Sequence, residues 1–155
     1  MVVGRAVFGI AVAAIAVAAA LLARTVAADD AAEAASIRDG VYTAPQAGRG
    51  AAVYPEPCGR CHGAKLDGAP DDPDMIPTPP IGGPKFLRNW DGRSLGALFE
   101  YTRTTMPALN PGSLSRQELV DVIAYMLFVS GAPAGPGELK PDPGRLGGIL
   151  IEAAP

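Results

Sequence analysis

The side chains of this sequence best suited to chemistry lie in Cys58-Gly59-Arg60-Cys61-His62. The 155-residue chain has two cysteines and one histidine, and all three fall within these five positions. The pattern C-x-x-C-H is the attachment signature of c-type haem. The spacing has a chemical reason. Two thiols three residues apart lie on one side of a turn or short helix, so both can reach the vinyl groups of one porphyrin. The next residue then points its imidazole at the iron from the proximal side. Two thioether bonds keep such a group permanently bound.

Other uses of these side chains fit less well. A zinc site takes four ligands, typically Cys or His, and the chain offers three, crowded together. A thioredoxin-like dithiol sits on a helix after a strand in a βαβ setting, and no such pattern surrounds Cys58 and Cys61. A structural disulfide, possible in an exported protein, leaves His62 without a role. A second axial ligand is available in Met106, which lies between a predicted helix and a Pro/Gly loop, 44 residues after His62. A thioether there can reach the distal side of the iron, and Pro107 stiffens its approach. Met126 falls inside a helical pattern and reads as core. Met75 lies in a Pro-rich loop and stays open as a competitor on spacing alone. Asp71, Asp72 and Asp74 read as a solvated loop, because the EF-hand spacing and its distal glutamate are missing.

These side chains need elements to place them. Gly50, Val53 and Tyr54 fall at helical spacing before the motif and predict a short helix that Pro55 and Pro57 end. From Gly63 to about Pro84, Pro70, Pro73, Pro77, Pro79, Pro80 and Pro84 predict a long loop without regular structure. A loop of that length wraps something, and the haem edge is the natural candidate. Leu95, Leu98, Phe99 and Thr102 mark one face of a helix over 94–103, with Ser94 as N-cap. Ser115-Arg116-Gln117-Glu118 is a capping box. The stripe Leu119, Val122, Ile123, Met126 and Leu127 follows, and Gly131 ends that helix.

Gly and Pro together number 35, which predicts few elements joined by long loops. A core so small needs a staple, and a buried haem supplies one. Residues 1–28 read as an export signal. Arg5 precedes the apolar run 6–23, and Val26-Ala27-Ala28 offers small residues for cleavage. At 18 residues the run is near the lower limit of a membrane span, so a retained anchor is the alternative. The expected organisation is a leader at 1–28, a spacer at 29–47, a haem domain at 48–132 and a Gly/Pro-rich tail at 133–155 packed on or near the domain. The expected location is the periplasm, either soluble or tethered by residues 6–23. Removing residues 1–28 removes Arg5, Arg24 and no acid, leaving eleven basic and sixteen acidic side chains and a net charge of −5. That balance argues against a nucleic-acid partner.

Residues 48–132 resemble a class I cytochrome c. The family has a glycine and an aromatic eight and four residues before the first haem cysteine, as Gly50 and Tyr54 are here. Val122 and Tyr125 match the pair on its crossing C-terminal helix, and Met106-Pro107 matches its axial methionine. The resemblance implies an all-α fold of three to four short helices around one covalent haem c, with His62 and Met106 as axial ligands. It also implies a proline carbonyl on the histidine's other ring nitrogen, from Pro79 or Pro80, and a propionate donor in Trp90. A narrower series includes Pro80-Ile81-Gly82-Gly83-Pro84, Pro111-Gly112-Ser113-Leu114-Ser115 and Gly131-Ala132-Pro133. It is similar to cytochromes that accompany periplasmic dehydrogenases, including the pyrroloquinoline-quinone alcohol dehydrogenases. This implies a one-electron carrier rather than an enzyme. A dehydrogenase would be its donor, and a terminal oxidase or another cytochrome its acceptor. The alternatives are a fixed subunit of a dehydrogenase complex, or a haem sensor or enzyme with an open iron site.

Overall fold

Each of the five longest helices in the computed structural model, which describes residues 36–74 and 78–153, begins at a capping side chain or a proline. Helix α1 (Ala44–Val53) is capped by Thr43, whose Oγ1 accepts from Gln46 N at 3.2 Å. Pro45 sits in its first turn, where a missing N–H costs nothing. Helix α2 (Gly83–Trp90) has Pro84 in the same place. Helix α3 (Leu95–Thr105) is capped by Ser94, which accepts from Ala97 N at 3.1 Å. Helix α4 (Arg116–Val129) opens on the full capping box. Glu118 N donates to Ser115 Oγ at 3.2 Å, and Ser115 N donates to Glu118 Oε2 at 2.9 Å. Helix α5 (Pro143–Gly148) follows Asp142, which accepts from Arg145 N at 2.8 Å. The described residues form no strand, only two isolated bridges, so the fold is all-α as expected.

Two elements depart from the sequence reading. Helix α1 starts before Gly48, because Thr43 and Pro45 make a favourable first turn. Helix α2 begins where the predicted loop ends, at Gly83, and runs on through residues for which the sequence reading predicts no element. Pro84 stands at the one helical position that favours proline, and Phe86 and Leu87 are buried.

The core is organised on the crossing of α1 and α4. A Cβ on Gly50 would lie 1.9 Å from Asp121 O, so the two backbones meet where only glycine fits. Tyr54, also buried, packs edge-on against Tyr125 with ring centroids 5.5 Å apart. Its hydroxyl donates to Gly63 O at 2.7 Å, and burial raises its pKa well above the usual value. Beside the crossing, the buried Gln46 donates to Asp121 Oδ1 at 3.0 Å and to Leu139 O at 2.9 Å, and accepts from Leu139 N at 2.8 Å. Arg49 pairs with Asp121 at 2.9 Å and with Glu138 at 3.0 Å. Burial alone would raise the Asp121 carboxyl. Hydrogen bonds from Arg49, Gln46 and Gln117 outweigh that and hold it below the ordinary carboxylate range.

The described part of the expected spacer, 36–47, is not loosely placed. Ile37, Tyr42 and Ala47 are buried with the core, because arm and tail cover each other. Tyr42 donates to Ala132 O at 2.7 Å and accepts from Gly135 N at 2.7 Å, while Ile37 N donates to Leu150 O at 2.9 Å. The tail buries Leu139, Leu146, Ile149 and Ile151. Residues 1–28, read as a leader or anchor, lie outside the described residues. No helix among the described residues is long and apolar enough to cross a membrane.

Candidate functional site

The motif forms one wall of a cleft of about 630 Å³. After α1 the chain makes a π-turn over Pro55–Gly59, with Cys58 N and Gly59 N donating to Tyr54 O at 3.1 and 3.0 Å. Pro55 and Pro57 have no N–H with which to continue an α-helix. A helical turn, Arg60–His62, follows directly. Cys58 is half-buried, Cys61 exposed and His62 buried, and all three line the cleft. Burial, with Cys61 beside it, pushes the Cys58 thiol up to about 11, so it is protonated at neutral pH.

The Pro-rich loop fixes the histidine. His62 Nδ1 lies 2.9 Å from Pro79 O. A carbonyl only accepts, so Nδ1 carries the proton and Nε2 keeps its lone pair. Thr78 Oγ1 donates to Cys61 O at 2.6 Å and Gly68 N to His62 O at 2.9 Å, which ties both ends of the loop to the motif. Of the two candidate prolines, Pro79 has the carbonyl beside the imidazole, while Pro80 is part of the cleft wall. Asp71, Asp72 and Asp74 are exposed, and Asp72 Oδ1 accepts from Asp74 N at 3.0 Å.

Met106 also lines the cleft, half-buried at the end of α3, with its N–H donating to Thr102 O at 2.9 Å. Met126, read as a core residue, is buried on α4 and reaches the same cleft. Met75 lies outside the described residues. Ile81, Phe86, Leu98 and Val122 add apolar wall. Trp90 lines the cleft edge-on to Tyr101, with centroids 5.8 Å apart, and the Arg93 guanidinium sits over its ring at 3.9 Å. Sequence reasoning passed over Arg93, Tyr101 and Thr78. None carries a motif, and Arg93 stands in a turn where no periodicity marks it.

The chain matches the family model described as cytochrome C oxidase, cbb3-type, subunit III over residues 45–126, more than half its length. The chain belongs to that cytochrome family. No curated protein and no solved structure matches it. It is thus a class I cytochrome c whose cofactor is a covalent haem c, and its chemistry is haem-based electron transfer. The cleft fits that group. Its volume lies within the range of roughly 300–1,000 Å³ usual for cofactor pockets. Its chemistry also suits a tetrapyrrole, with two thiols, an imidazole with a free Nε2, thioether sulfur and apolar walls.

Proposed function

We propose that this cytochrome is a one-electron carrier in which Cys58 and Cys61 hold the haem, with His62 and Met106 as axial ligands. The observation that carries the reading is the convergence of all four side chains on one cleft. Bound haem supplies reversible one-electron chemistry at its iron. The Pro79 carbonyl fixes the His62 tautomer and raises the basicity of its free nitrogen. Met106, a soft ligand, and the apolar wall both favour the reduced state and so a high potential. With His62 and Met106 both holding the iron, the protein would leave no position there for substrate.

The proposed donor is a periplasmic dehydrogenase and the proposed acceptor a terminal oxidase or another cytochrome. Residues 1–28 serve for export or tethering. The second-half sequence series supports the donor class. The family description, which names an oxidase subunit, supports a second reading, that the chain works fixed within a complex. Co-purification at high salt separates that reading from a mobile carrier.

The deciding experiment is Met106→Ala in the holoprotein. Covalent haem should remain, the weak near-red band of Met ligation should vanish, the potential should fall, and carbon monoxide should bind the ferrous form. Met126→Leu should change none of these. An unchanged spectrum and potential in Met106→Ala would sink the ligand assignment.

A further inference from the structure

We infer that Arg93 is the cation facing the acidic edge of the bound haem, and that tail residues 149–153 hold it in place, so that the tail tunes the potential. This rests on the haem reading above. Arg93 follows Gly92, whose φ of +71° makes the tight turn between α2 and α3. Its guanidinium carbon sits 3.9 Å from the centroid of the Trp90 ring, and both residues line the cleft. Among the described residues no carboxylate pairs with Arg93, whereas Arg60, the other arginine lining the cleft, has Glu56 at 3.9 Å. A guanidinium stacked on an indole is held stiffly and keeps its edge N–H groups for a carboxylate. Haem carries two peripheral carboxylates, and charges brought to an apolar cleft need a counter-charge.

The turn carrying Arg93 is laced to the tail. Ile151 N donates to Arg93 O at 2.8 Å, Gly92 N to Ile151 O at 2.9 Å, and Leu95 N to Ile149 O at 2.8 Å. Ala153 N donates to Asp91 Oδ1 at 2.8 Å. Ile149 and Ile151 are buried, so the lacing is anchored in the core. This tail lies outside the family match at 45–126. A cation near the iron favours the ferrous state, which carries one positive charge less.

The test is the midpoint potential of the holoprotein at about 0.01 M and 1 M salt, where the Debye length falls from about 30 to 3 Å. The mass of each variant is taken first. A wild type without covalent haem overturns the haem reading itself. Arg93→Gln should lower the potential at low salt, and the difference should shrink at high salt. Arg93→Lys should keep part of the wild-type value. A chain ended after Gly148 should fall as Arg93→Gln does, and adding Arg93→Gln to it should change nothing more. If that chain does not fold, the Ile149→Ala/Ile151→Ala double variant is read the same way. A wild-type potential in Arg93→Gln, or a drop that ignores salt, overturns the role of Arg93. A wild-type potential in the tail variant overturns the coupling.

Discussion

Single residues set what this molecule can tolerate. Gly50 meets the α4 backbone, and a methyl group there would lie 2.5 Å from Asp121 C as well as against its oxygen. Neither atom is the end of a flexible side chain, so the helices must part. Gly50→Ala should therefore destabilise the holoprotein by about 3 kcal/mol, at the upper end of overpacking costs, as read by urea denaturation. A loss below about 0.5 kcal/mol would mean the crossing is looser than described. At this scale the sequence was most legible where chemistry concentrates. The C-x-x-C-H run is dense and ordered, and the resemblance to class I cytochromes c picked out Gly50 and Tyr54, eight and four residues before Cys58, and the pair Val122 and Tyr125, three apart. Arg93 was not legible, because its meaning comes from Trp90 beneath it and a tail far along the chain.

At the scale of elements, Asp121 joins three parts of the chain: α4, Arg49 and Gln46 on α1, and through them Glu138 and Leu139 on the tail. Its carboxyl is held below the ordinary range, so the unfolded chain binds the proton more readily. The stability this contributes is complete above the unfolded value and is lost as pH falls through the lower, folded one. The urea midpoint of the wild type should thus drop from about pH 5 downward. Asp121→Asn should start lower at pH 7 and lose less on acidification. Parallel pH profiles would show that the clamp contributes nothing. Elements were legible where a side chain announces them. Ser94 and the Ser115/Glu118 box marked α3 and α4 to within two residues of their observed ends. Helix α2 was missed because Gly82 caps it without a side chain and Pro84 reads equally well as a breaker. The choice is made by burial of Phe86 and Leu87, which no local pattern announces.

For the whole molecule, helices α1 to α4 do not suffice. Ile37, Tyr42, Leu139, Leu146 and Ile151 are buried, yet lie outside α1 to α4. At roughly 2 kcal/mol each they contribute on the order of 10 kcal/mol, comparable with the whole stability of a domain. A fragment of residues 44–130 should not fold to a cooperative holoprotein, as read by thermal melting followed through the haem spectrum. A cooperative melt near the wild-type temperature would contradict this. The arm and tail were hard to read because Ala-rich and Gly/Pro-rich stretches lack a period and pack only against each other. Their meeting has one more consequence. Ser36 and Leu150 bridge side by side, so the first and last stretches of the described residues meet at one place. A unit built this way can be spliced into a surface loop of another protein without prying that loop open. It can also be re-cut, joining 153 to 36 through a short linker and opening new ends between α3 and α4.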